Sequence, residues 1–181
     1  MYEYKVNILK VVDGDTVDVD IDLGFGCWLR NERVRIVGID CPESRTSDRI
    51  EKVFGEAAKQ RLTSLLSSEA TLISQVSKMG ENMKGKFGRI LGDFRTINEQ
   101  VVTTTLMEEG HAVAYHGGDK DAVQAQHLKN RQRLIDENKV PTPDGMVRTE
   151  GAYNEFKATK PPLRKKEKQR SNIGGSSNEL F

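Results

Sequence analysis

Five ionisable residues in three short stretches could do chemistry together. They are Asp15 in DGDT at 13–16, then Arg35, Asp40 and Glu43 in RIVGIDCPE at 35–43, and Arg89 in GKFGRIL at 85–91. Carboxylates gathered at strand ends, with Asp13 beside Asp15, suit a hard divalent cation: calcium takes about six to eight oxygens from carboxylates, carbonyls and water at roughly 2.3–2.6 Å. Arg35 and Arg89 offer planar forks of N–H donors that match phosphate oxygens. A cation, a carboxylate base and two guanidiniums make a centre for phosphodiester hydrolysis. The same residues also have a plain structural use. DGDT is an ordinary turn, and Arg35 can pair with Asp40 or Glu43 as strand arginines do. From residue types and spacing alone the two uses stand level.

The elements that must position these residues follow from periodicity. Residues 4–12 and 16–23 predict strands, the second alternating Val17, Val19 and Ile21 against Asp18, Asp20 and Asp22, with DGDT as the turn between them. After GFG at 24–26 a third strand is expected over 28–40. Strict alternation would put Arg35 and Asp40 on opposite faces, so a bend or bulge near Gly38 is expected to aim both at one cleft. From 48 to 66 the apolar positions recur at three- and four-residue steps, predicting an amphipathic helix capped by Ser47 or Asp48. Strands are expected over 70–77 and 87–94. Helices are expected over 98–109, ended by Gly110, and over 120–138, stopped by Pro141 and Pro143. Three strands, a helix, two strands and further helices is the element order of an α+β, OB-fold five-stranded β-barrel with appended α-helices.

A chain of 181 residues suits one domain with extensions. The expected division is one folded barrel domain over 1–140, an irregular extension over 141–160 and a disordered basic C-terminal tail over 161–181. The formal net charge of +1 hides an asymmetry: residues 157–181 carry seven Lys/Arg against two Glu, leaving 21 basic and 25 acidic residues before them. The body is therefore near −4, and attraction to a polyanion must come from a local basic site or from the tail. No apolar run approaches membrane-spanning length and residues 1–10 lack the pattern of a signal peptide, so an intracellular, cytoplasmic monomer is expected, with no membrane association. Cys27 and Cys41 form neither a disulfide framework nor a zinc motif. Asp18, Asp20 and Asp22 imitate the start of an EF-hand loop, but Leu23 stands where glycine is required, so they are expected to be a solvated strand face. His111 and His116 are expected at loop edges and His127 on a helix, without chemistry.

With VVDGDTV at 11–17, RIVGIDCPE at 35–43, GKFGRIL at 85–91 and VVTTTLMEEGHAVAY at 101–115 in this order, the chain resembles the staphylococcal nuclease (thermonuclease-like) family over about 105 of its 181 residues. The resemblance implies an OB-fold barrel, calcium as cofactor, and hydrolysis of DNA and/or RNA to 3′-phosphate ends. Carried over by residue, it implies calcium ligation by the carboxylates of Asp15 and Asp40 and the backbone carbonyl of Cys41. Arg35 and Arg89 would hold the phosphate, Glu43 would orient or deprotonate the attacking water, and Lys86 and Tyr115 would contact substrate. Phe87 stands where the family carries a tyrosine, so one hydroxyl toward nucleotide phosphate is missing. Other members keep the barrel, lose catalytic residues and bind nucleic acid only. The joint presence of Asp15, Arg35, Asp40, Glu43 and Arg89 favours the enzyme, since a binding module has no use for Glu43 opposite paired arginines.

Overall fold

The computed structural model describes residues 1–76, 83–85 and 88–143. The expectations for Lys86, Phe87 and everything beyond residue 143, the basic tail included, lie outside those residues. The elements are β1 (Tyr2–Asp13), β2 (Thr16–Asp22), β3 (Trp28–Ile36), β4 (Ile39–Asp40), α1 (Arg49–Leu65), β5 (Glu69–Ser74), β6 (Ile90–Arg95), α2 (Val102–Glu109), β7 (Val113–Ala114) and α3 (Lys120–Asp136).

The two-residue period of β2 buries Val17, Val19 and Ile21 to within 2% of full burial. Strands with one such face cover it by curling, and here β1, β2, β3, β6 and β5 form a closed barrel in that order. Neighbours β1–β2, β2–β3 and β5–β6 pair antiparallel, β5 returns antiparallel onto β1, and β3 meets β6 in parallel. The interior is filled by Val6, Val34, Ile36, Leu72 and Phe94, with Leu62 of α1 and Leu106 of α2 packed into the same core. At about 1.5–3 kcal/mol for each fully buried aliphatic or aromatic side chain, this core holds the strand ends rigidly. This is the expected α+β OB-type barrel with appended helices.

A second, smaller apolar cluster of Phe54, Leu134 and Val140, flanked by Ile50, Val53 and Ile135, joins α3 to α1. Asp48 caps α1, its carboxylate accepting from the amides of Ile50 and Glu51. Gly110 ends α2 in the left-handed region at φ 85°. That helix starts four residues later than its periodicity predicts. A turn intervenes, with Glu99 at φ 61° and the Thr96 amide donating to the Gln100 carbonyl at 2.9 Å.

The third strand differs from the continuous run expected over 28–40. It stops at Ile36, Gly38 adopts φ 80°, and the chain resumes as β4, paired with β7 through Ile39–Ala114 and Asp40–Val113. Only glycine takes this backbone conformation without strain, so the break lies at the position where a bend was required. No helix among the described residues is long and apolar enough to cross a membrane.

Candidate active site

The β1–β2 turn supplies two carboxylates with different tasks. Asp13 is buried, and its Oδ1 accepts from the Gly14 amide at 3.0 Å and the Ser44 amide at 3.3 Å, tying the turn to the segment after β4. A Cβ at Gly14 would stand 3.0 Å from the Cβ atoms of Cys41 and Ala58, so glycine is what lets these three segments meet. Asp15 takes the Thr16 hydroxyl at 2.7 Å through Oδ1, and its Oδ2 is ion-paired with Nη1 of Arg35. That pairing arises from register, since Arg35 lies opposite Thr16 in the β2–β3 ladder.

Arg35 also donates from Nη2 to the Ile39 carbonyl at 3.4 Å. Burial draws its pKa below the ordinary arginine value; the carboxylates of Asp40 and Glu43 oppose that pull and the charge of Arg89 adds to it. The guanidinium remains charged in any case. Arg89 reaches the same place through the parallel seam: it precedes Ile90, the partner of Val34, so the two arginines flank one pair of the β3–β6 ladder.

Cys41 is 7% exposed and its thiol donates to the Gly14 carbonyl at 3.3 Å. Burial pushes the thiol pKa far up, so no thiolate forms and only its backbone carbonyl can serve as a ligand. Glu43 is pushed above the usual carboxylate range by burial, then by the Asp13 and Glu51 carboxylates. Its backbone is held by α1, with its amide 3.3 Å from Oε1 of Glu51.

Gly55 completes that hold. A Cβ there would come 2.4 Å from the Glu43 carbonyl carbon and 2.5 Å from its oxygen. Glycine inside a helix ordinarily costs about 1 kcal/mol against alanine, yet here it lets the helix touch the Glu43 backbone. Gly55→Ala is therefore expected to destabilise by about 1–3 kcal/mol, the scale of overpacking, despite its better helix propensity. It should also lower kcat by displacing Glu43. Thermal unfolding and turnover of the variant check this, and a rise in Tm with unchanged kcat would refute it.

Asp40, at the end of β4, has a side chain 38% accessible and places Oδ2 2.9 Å from Nε2 of His127 on α3. Sequence reasoning left His127 as an unremarkable helix residue. The signal that could have found it is its place next to Leu128 on the buried stripe of α3, where an imidazole needs a partner. His111 lies in the connection between α2 and β7, the loop edge expected for it, but is buried there, and burial lowers its pKa. His116 is exposed.

Asp15, Arg35, Asp40, Glu43 and Arg89 line one open cleft of about 790 Å³. Tyr115 lies in an adjoining hollow of about 490 Å³ that shares Arg35 and contains Gln75 and His116. Asp18 and Asp20 are less solvated than expected. Asp18 is paired with both ends of the Arg33 fork at 2.7 and 2.9 Å, and Asp20 with Arg30 at 2.6 Å.

The donor chemistry fits a hard cation. Every candidate ligand atom is an oxygen, and among the described residues the lining carries six carboxylates (Asp13, Asp15, Asp18, Glu32, Asp40, Glu43) against four guanidiniums (Arg33, Arg35, Arg45, Arg89). A divalent ion would bring that lining to neutrality. Among the described residues no three His, Cys, Asp or Glu side chains converge into a closed metal cage, so a cation would rest on two carboxylates, a carbonyl and water.

Residues 33–140 match the model of the family described as Staphylococcal nuclease homologue. Similar curated proteins include protein ParB of Escherichia coli, 30% identical over 129 residues that cover 66% of this chain and 63% of that protein. Endonuclease YhcR of Bacillus subtilis (strain 168) is 29% identical over 118 residues, 62% of this chain and 9% of that protein. Thermonuclease of Staphylococcus intermedius is 27% identical over 132 residues, 70% of this chain and 72% of that protein. The match thus spans less than two thirds of ParB and a small part of YhcR.

Proposed function

Because the chain belongs to the staphylococcal nuclease homologue family, we propose that it is a calcium-dependent nuclease that hydrolyses phosphodiester bonds of DNA and/or RNA. The observation that carries this is the single cleft collecting Asp15, Arg35, Asp40, Glu43 and Arg89 from the β1–β2 turn, β3, the β4 segment and the entry to β6. Two similar proteins are themselves named as nucleases.

Asp15 and Asp40 would hold the calcium ion by carboxylate and Cys41 by its carbonyl. When bound, the ion supplies Lewis-acid polarisation of a phosphate oxygen and offsets part of its negative charge. Arg35 and Arg89 direct N–H donors at the non-bridging oxygens, where charge accumulates as water adds to phosphorus. Glu43 takes the proton of that water. Its raised pKa makes it a stronger base than an ordinary glutamate, nearer the working pH where general bases are most effective. The phosphorus bond to the 5′-oxygen breaks, the 5′-oxygen acquires a proton, and the phosphate stays on the 3′ end. Tyr115, in the hollow beside the cleft, contacts the substrate, and the resemblance assigns Lys86 a substrate contact as well.

Incubation with single-stranded DNA should give cleavage in calcium, weak cleavage in magnesium and none in excess chelator. The preference for calcium stems from the irregular donor set of two carboxylates and a backbone carbonyl, which a flexibly coordinated ion accepts, whereas magnesium demands near-ideal octahedral geometry and sheds water reluctantly. Undiminished activity in chelator overturns the cation part of the proposal. Binding of DNA without cleavage in calcium replaces the enzyme with a binding module.

A further inference from the structure

Asp40 stands on an element with little of its own to hold it. β4 has two residues, comes after the turn at Gly38, and among the described residues pairs with the two residues of β7 alone. Such a short ribbon is marginal by itself, and the Asp40 side chain is 38% accessible. A carboxylate in that setting samples several rotamers unless something outside the ribbon fixes it.

His127 does so from 87 positions further along the chain, through the 2.9 Å contact between its Nε2 and Oδ2 of Asp40. An ionised carboxylate only accepts, so Nε2 carries the hydrogen. Docking of α3 does not require an imidazole here. Leu134 and Val140 against Phe54 anchor the helix, and Asn130 ties it to the Ala112 carbonyl at 3.3 Å. An apolar side chain would fill position 127, which is 5% exposed, without the cost of burying a polar ring. What histidine adds is an N–H on one oxygen of Asp40, leaving Oδ1 to meet a cation.

We infer that His127 is a positioning residue for the cation site: by holding Oδ2 of Asp40 it presents this carboxylate as a pre-oriented, single-oxygen ligand and couples the docking of α3 to cation affinity. This rests on the proposed role of Asp40 as a cation ligand. Partners of this kind behind a ligand typically alter metal affinity by about 10–100-fold.

The test uses the full chain and compares wild type with His127→Leu, His127→Gln and His127→Asn. Calcium affinity is measured by titration calorimetry, and the calcium-induced rise in Tm and kcat at saturating calcium are measured alongside. His127→Leu is expected to weaken calcium binding about 10–100-fold and to shrink the calcium-induced rise in Tm, with kcat largely regained at saturating calcium. His127→Gln, long enough to keep an N–H on Asp40, should recover most of the affinity, and the shorter His127→Asn should not. If His127→Leu does not fold, the Gln and Asn pair decides the matter. A folded His127→Leu with wild-type calcium affinity overturns the inference and leaves the nuclease reading intact. Equal losses in Gln and Asn, confined to Tm without calcium, also overturn it and reduce His127 to a structural part. A wild-type protein that binds no calcium overturns the cation reading and this inference together.

Discussion

Arg35→Ala lowers kcat on single-stranded DNA by about 10²- to 10³-fold, the scale for removing one preorganised donor from a site of developing negative charge. The side chain is positioned by its own strand, by the Ile39 carbonyl and by Asp15, so its donors need no reorganisation as the phosphate gains charge. Arg35→Lys should fall nearly as far, because an ammonium cannot present two parallel donors. The ion pair with Asp15 gives the prediction a second readout. Removing the guanidinium frees a carboxylate and deletes a repulsive charge, so calcium should bind Arg35→Ala at least as tightly as wild type. A drop in kcat with undiminished calcium affinity distinguishes a lost phosphate donor from a collapsed site. Arg89→Ala should show a kcat loss of the same order, since the β3–β6 register carries both arginines to one cleft. If both variants fold and turn over at near wild-type rates, neither arginine is catalytic.

Glu43→Gln should lower kcat by about 10²- to 10⁴-fold, the contribution of a positioned general base. Glutamine preserves shape and keeps the backbone in contact with Gly55 and Glu51, so Tm should change little. The pH–rate profile offers the sharper check. In wild type, activity should fall as pH drops through the Glu43 pKa, and burial followed by the Asp13 carboxylate raises the pH of that fall above that of an ordinary glutamate. In Glu43→Gln this acid limb should vanish from the residual activity. A variant that keeps the wild-type limb would assign the base to another group.

Local patterns in the sequence carried a large part of this structure. The alternation of Val17, Val19 and Ile21, the cap at Asp48 and the left-handed stop at Gly110 each act within a few residues, and each is found where its pattern places it. The break near Gly38 could be foreseen because alternation and a shared cleft conflict unless the strand turns. The ribbon beyond the break could not, because β4 and β7 have two residues apiece and a pair so short has no period. Gly55 reads in sequence as a small defect in a helix; its use appears only when the Glu43 backbone lies against it. The contact between His127 and Asp40 spans most of the folded chain, and no spacing rule reaches that far. Asp18 and Asp20 looked solvated because the arginines that neutralise them sit across a hairpin, in a register set by a bulge at Asn31 with φ 54°.

The parallel seam between β3 and β6 has a consequence for how the chain folds. Every other seam of the barrel is antiparallel, and this one joins Val34 to Ile90 across a long intervening segment through three residue pairs. Such contacts come with high contact order, since the entropy of closing the loop is lost before the pairing returns anything. A chain synthesised only as far as β5 already contains Asp15, Arg35, Asp40 and Glu43, but it lacks Arg89 and the strand that completes the cylinder. On the proposed function, hydrolytic competence is thereby tied to a non-local step of folding that waits for β6, and recovery of cleavage during refolding should track formation of this seam rather than the earlier appearance of hairpins and helix.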